Sequence, residues 1–128
     1  MYLTLEIVKG LIEDEKWIDE GVNRSKIKEP KTSVMTMFEI LKGGPEEGYD
    51  HQKLLEKLES HGIEILTLTP EMIQDIQSIS YEYSDTFEVG VLESIHIAHS
   101  ISLKEQIIST NPMYSYIDSV GHIDPRKL

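Results

Sequence analysis

The chain contains no cysteine, a single tryptophan, and only 12 Lys and Arg against 23 Asp and Glu. The missing cysteines exclude a disulfide framework, a thiolate zinc centre and a cysteine nucleophile. No apolar run approaches the roughly 20 residues needed to span a bilayer, and no segment combines the charged, apolar and small-residue regions of a signal peptide. A cytoplasmic protein is therefore expected. The formal net charge of −11 argues against gripping nucleic acid by the general surface, because such binding draws most of its affinity from Lys and Arg neutralising phosphates. RNA, if bound, must meet a local patch, while an acidic exterior suits either solubility or a basic partner. No glycine stands in the Lys-Ser/Thr context of a phosphate-binding loop, and no Gly-x-Ser-x-Gly elbow supports nucleophilic hydrolysis.

At 128 residues the chain can build one domain with a real core, residues 1–128, and is too short for two ordinary ones. Tyr2–Val8 is β-branched and apolar enough for a first strand running into a helix, or forms an N-terminal helix that exposes Glu6. Leu11, Ile12, Trp17, Ile18 and Val22 recur among acids as in an amphipathic helix. Arg24–Lys31, which holds four of the 12 basic residues and Pro30, is a loop, either simply lysine-rich and solvated or the best candidate phosphate-contacting patch. A strand over Thr32–Met35 and a short helix from Thr36 to Lys42 follow, stopped by Gly43-Gly44-Pro45. Asp50 can cap the next helix, with Leu54, Leu55, Leu58 and His61 on one face and Gly62 as its stop. Ile63–Leu68 alternates like a strand, and Thr69-Pro70-Glu71 restarts a helix whose buried face is Met72, Ile73, Ile76, Ile79 and Tyr83.

The most informative stretch is Val91–Ile101 followed by Gln106–Pro112. Leu92, Ile95, Ala98, His99 and Ser102 recur at helical spacing, and Val91, Ile97 and Ile101 widen the apolar stripe until little surface is left for water. Such a helix belongs inside the domain. Glu93 is the one carboxylate in it, and an ionised carboxylate is costly to bury unless paired or metal-bound. A strand around Ile107-Ile108, a short helix around Tyr114–Ile117 and a last strand near Val120–Ile123 complete the chain. Strands alternating with helical crossovers imply a parallel sheet covered on both faces.

Glu93, His96 and Ala98 on an apolar helix, then Ile107, Ile108, Thr110 and Asn111 at a strand end, resemble the C-terminal half of PIN domains. Their helix opens acid-x-x-His-x-Ala, and their next strand ends in Thr-x-Asp or Thr-Asp. Thr36-x-x-Glu39 matches the family's second metal-site acid, and Glu6 falls where its first strand ends in Asp; the element order matches over essentially the full length. The resemblance implies a three-layer α/β/α fold with a parallel sheet of about five strands. It also implies a ribonuclease, toxin-like as many members are, in which Glu6, Glu39, Glu93 and Asn111 converge to hold Mg²⁺ or Mn²⁺. An antitoxin-like protein partner, an RNA substrate and a homodimer follow from the same resemblance.

The family's usual Asp is Glu at 93 and Asn at 111. Asn111 keeps a carbonyl oxygen but removes a charge. The glutamates reach farther than Asp by one carbon–carbon bond, where a misplacement of about 1 Å can cost about 100-fold in rate. A weakened nuclease and a catalytically silent module binding RNA or a protein are thus both open. Thr36-x-x-Glu39 has a second explanation as a capping box. Glu93-x-x-His96 has the spacing of di-iron bundles but lacks the second such pair. His96 and His99, three apart, could bind a transition metal or be satisfied core residues.

Overall fold

Tyr2 and Leu3 form the middle strand, β1, of a five-stranded sheet in which every neighbouring pair is parallel. The other strands are β2 (Lys31–Ser33), β3 (Glu64–Leu66), β4 (Ile107–Ile108) and β5 (His122–Ile123), in the order β3-β2-β1-β4-β5. Tyr2 faces Lys31 on one side and Ile107 on the other, and Leu3 pairs with Ile108. Five α-helices are found among the described residues of this computed structural model, which are 1–13, 21–44, 46, 48–86 and 89–128. They are α1 (Leu5–Ile12), α2 (Val34–Leu41), α3 (His51–Ser60), α4 (Met72–Glu82) and α5 (Val91–Leu103). None of them is long and apolar enough to cross a membrane.

Side chains alternate across a strand, and that alternation divides the interior into two cores. Leu3 and Ile108 point to one face, where they meet Ile7, Val8, Leu11 and Ile12 of α1, Met37 and Ile40 of α2, and Leu54 and Leu58 of α3. Tyr2 and Ile107 point to the other, against Ile76 and Ile79 of α4 and Ile95, Ile97 and Ala98 of α5. Helices on both faces of a parallel sheet make the three-layer α/β/α arrangement expected from the alternating pattern. Within α5, every residue from Ser94 to Ser100 is buried, so the chain's most apolar helix lies at the centre, as its all-round apolar pattern requires.

Several boundaries differ from the sequence reading. The first strand stops at Leu3, because Thr4 turns extended and caps α1 with its carbonyl, which accepts from Ile7 and Val8. Glu6 therefore sits on the first turn of α1 and does not close the strand. The second helix starts at Val34, not Thr36: Ser33 is its N-cap, its hydroxyl accepting from the Met35 amide at 3.1 Å. Thr36 lies buried inside the helix beside Thr32, at 2.9 Å, so Thr36-x-x-Glu39 is not a capping box. Asp50 does cap α3, accepting from Lys53 at 2.8 Å, and Gly62 follows at a φ of +67°, a conformation glycine adopts without strain. Ile73 is 59% exposed and leaves the buried face of α4 to Ile76 and Ile79. The expected helix over Leu11–Val22 falls largely on residues outside those described.

Candidate functional site

The chain lays down β2 and β3 on one side of β1, then returns to add β4 and β5 on the other. In open parallel sheets the crevice beyond the carboxyl ends of the strands, at such a reversal, is where ligands collect. Here a cavity of about 170 Å³ opens at that point, and Glu6, Glu39, Glu93 and Asn111 all line it, together with His96 and Tyr114. Four residues spread over 106 positions of sequence are thus brought to one cavity. The volume suits a hydrated ion; drug-sized ligands occupy pockets of roughly 300 Å³ or more.

Glu6 is fixed from across the sheet. Its Oε1 accepts from the Ser109 hydroxyl at 2.6 Å, the Thr110 amide at 3.0 Å and the Thr110 hydroxyl at 3.4 Å. Burial alone would raise this carboxyl, but hydrogen bonds from Ser109, Thr4 and the backbone amides of Glu6 and Thr110 outweigh it and hold Glu6 below the usual carboxylate range. These donors favour its ionised form and fix its orientation.

Glu39 differs. Its side chain is about 10% exposed, and its Oε1 is buried with no hydrogen-bond partner among the described residues. The nearest cation-capable atom is His96 Nε2 at 3.5 Å, too long for a well-formed hydrogen bond. Buried carboxylate oxygens are costly when no donor or cation serves them, so this atom fits a site for a positive ligand.

Glu93 is the third residue of α5, where a carboxylate interacts favourably with the helix N-terminus. It folds back toward the N-cap, Gly90: a Cβ placed there would stand 2.6 Å from a Glu93 carboxylate oxygen. Gly90→Ala is accordingly expected to displace the carboxylate, while the backbone (φ −74°, ψ 176°) accepts alanine. The loss in stability should be about 1 kcal/mol or less, since glycine is only a modest cap. Parallel measurement of melting temperature and Mn²⁺ affinity should show the affinity falling much further than the stability.

Asn111 caps the 3₁₀ turn Pro112–Tyr116, its Oδ1 accepting from Met113 at 3.0 Å. A carbonyl oxygen has two lone pairs, so one remains for the cavity. Among the described residues no three His, Asp or Glu side chains form a ready-made ion cage. The field there is negative nonetheless. Burial, then the charges of Glu93, Glu6 and Glu39, push the Tyr114 phenol far above its ordinary range.

Beneath the cavity lie buried polar groups that the sequence reading did not assign to the site. Tyr2 Oη is 2.5 Å from His96 Nδ1. His99 Nε2 lies 3.2 Å from Ser33 Oγ, and its ring stacks on Tyr2 at 5.7 Å and 23°. Each imidazole has a nitrogen bonded in the core, as satisfied core histidines do. Ser109 is held in turn by His122, whose Nε2 donates to the Ser109 carbonyl at 2.8 Å. The usable signals were a tyrosine in an otherwise apolar strand, whose hydroxyl must find a partner when buried, and the run of hydroxyls after β4. The basic loop Arg24–Lys31 is misplaced as a phosphate patch for this cavity. It precedes β2 and packs by Lys28 and Glu29 against the N-terminal amine, at the amino end of the sheet, opposite the acids. Lys31 there pairs with Glu105 at 2.7 Å.

No family model and no curated protein matches the sequence. Solved structures do. The chain aligns over 97% of its length with 96% of a chain from a toxin–antitoxin complex of Klebsiella pneumoniae, at a TM-score of 0.72 and 14% identity. It aligns over 95% of its length with 96% of a chain from VapBC2 of Rickettsia felis bound to a DNA fragment from its promoter, at a TM-score of 0.69 and 13% identity. At such identity the likeness shows the fold, and this chain has the PIN-like three-layer α/β fold with a five-stranded parallel sheet.

Proposed function

We propose that this chain is a divalent-metal-dependent ribonuclease of the PIN type, acting as the toxin half of a cytoplasmic toxin–antitoxin pair. The observation that carries the reading is the buried, unserved Oε1 of Glu39, in a cavity shared with Glu6, Glu93 and Asn111. Glu39, Glu93, Glu6 and the carbonyl of Asn111 would hold Mg²⁺ or Mn²⁺, hard ions that prefer oxygen donors. Such an ion, when bound, lowers the pKa of a coordinated water and offsets charge on a phosphate. The protein's own part is positional. Ser109 and Thr110 hydrogen-bond Glu6, Gly90 leaves room for Glu93, and the sheet reversal brings both to the cavity that Glu39 lines.

A protein partner is supported by exposed apolar side chains next to the site. Phe38 is 58% exposed on α2 beside Glu39, and Val34 lies one turn earlier. An antitoxin-like protein with a basic segment would cover this face and oppose the acidic cavity. A homodimer would use another surface. A silent module that binds RNA or protein is the second reading, favoured by one observation: Glu6 Oε1 and Asn111 Oδ1 already accept protein hydrogen bonds.

Calorimetry with Mg²⁺ and Mn²⁺, alongside cleavage of single-stranded RNA in the same buffers, separates the two. The wild type should bind metal, and Glu93→Gln should weaken binding about tenfold or more. No heat at millimolar metal together with no cleavage would sink the nuclease reading and leave the silent module.

A further inference from the structure

Resting on that reading, we propose that Tyr2 and His96 are positioning residues: a buried relay in which Tyr2 fixes the His96 tautomer and His96 donates a hydrogen bond toward the Glu39 carboxylate, so that His96 is not itself an ion ligand. The geometry is a chain of three buried groups running from the middle strand to the cavity. Tyr2 is fully buried on β1, and its Oη is 2.5 Å from His96 Nδ1. His96 is buried on α5, and its Nε2 is 3.5 Å from Glu39 Oε1 on α2.

The direction of the protons follows from the partners. The backbone N–H of Ser33 and the hydroxyls of Thr36 and Ser33 face the Tyr2 phenolic oxygen, and its burial keeps the phenol protonated. A carboxylate oxygen only accepts, so the Nε2 that faces Glu39 carries the proton, and a phenol, which can donate, is left to serve His96 Nδ1. A neutral imidazole that accepts at Nδ1 carries its proton on Nε2. That N–H then faces the Glu39 oxygen that has no other partner. The opposite tautomer would set a nitrogen lone pair against a carboxylate lone pair.

The 3.5 Å separation is about half an ångström longer than an ordinary N–H···O bond, so a small movement of Glu39 closes it. Histidines that bind metals show the reverse arrangement, donating their other ring N–H to a neighbour and offering a lone pair to the ion. With Nε2 protonated, the cavity presents oxygen donors only. Such a site favours Mg²⁺ and Mn²⁺ over ions that prefer imidazole, such as Zn²⁺ and Ni²⁺.

Long-range ¹H–¹⁵N NMR of the imidazoles tests the tautomer directly. In the metal-free protein at neutral pH, His96 should carry its proton on Nε2, and Tyr2→Phe should lose that preference. Calorimetry with Mg²⁺ should show His96→Leu weakened about tenfold or more, the usual cost of removing a group that orients a ligand. His96→Gln, which retains an N–H donor, should recover most of the loss, and thermal melts would show whether Leu acts merely by unfolding the chain. In cleavage, the loss should lie in kcat more than in KM. Three results overturn the relay: a proton on Nδ1, an Nε2 resonance shifted to the coordinated range on Mn²⁺-free Zn²⁺ loading, or Gln no better than Leu at equal stability. A wild type that shows the Nε2–H tautomer and its dependence on Tyr2, but binds no metal, supports the relay and sinks the nuclease reading instead.

Discussion

Glu39→Gln should lower metal-dependent RNA cleavage by about 100-fold or more, while raising the melting temperature of the metal-free protein. The two effects share one cause. As a carboxylate, Glu39 buries a charge whose Oε1 has no hydrogen-bond partner among the described residues, in a cavity that also holds Glu6 and Glu93. Buried charge of one sign is costly in the empty site and useful only when a cation arrives. Glutamine has nearly the same shape. It keeps an oxygen for His96 Nε2 and turns an amide toward the other acids, removing repulsion at little cost in packing. A gain of about 1 kcal/mol would raise the melting temperature by roughly 4 °C. Removing one preorganised electrostatic group from an active site typically costs about 100- to 1,000-fold in rate. Paired thermal melts and RNA cleavage assays check both halves. A variant that is both inactive and less stable would mean that Glu39 holds the fold together, and its role as an ion ligand would fall.

The acids could be found in the sequence because burial makes charge conspicuous. Glu93 stood out as the lone carboxylate in an apolar helix, and that helix is buried from Ser94 to Ser100. The parallel sheet was legible from alternation of strand and helix patterns, since helical crossovers leave few other solutions. Strand lengths were not. A helix can start as soon as a capping group takes over the backbone, so Thr4 and Ser33 cut β1 and β2 to two and three residues, although apolar, β-branched sequence continues well past both.

Groups that support the acids were hidden for a different reason: their role exists only across the sheet. Ser109 and Glu6 are 103 residues apart and meet because β4 pairs with β1; Tyr2 and His96 are 94 apart and meet because α5 crosses that strand. The sequence marks such a hydroxyl as needing a partner but does not say which residue across the sheet supplies it. The basic loop is locally conspicuous but attached to the amino end of β2, so that its position in the fold and not its composition decides what it can touch.

Buried His99 predicts a marked acid lability. His99 is 3% exposed, stacked on Tyr2 and bonded to Ser33. Burial, with the nearby His96 second, lowers its pKa from 6.5 to about 4. The unfolded chain takes up this proton near pH 6.5 and the folded protein only near pH 4, so between those values the unfolded state binds more protons. Stability therefore falls as the pH drops from about 6.5 toward 4 and is unaffected by this group above that range. At 1.36 kcal/mol per unit, the full loss is about 3 kcal/mol, a large share of the 5–15 kcal/mol typical of small proteins. Glu6, held below its ordinary value by Ser109 and the other donors, adds a second loss in the same direction. That loss begins lower, as its unfolded carboxyl protonates below about pH 4.5, so the two steps separate along the pH axis. Urea unfolding at pH 7, 5.5 and 4.5 should show the midpoint falling between all three. In His99→Phe, which keeps a ring against Tyr2 but cannot take up a proton, the decline between pH 6.5 and 4.5 should flatten, whatever the variant's stability at pH 7. An unchanged slope in that variant would move the acid sensitivity to another group and leave His99 as packing alone.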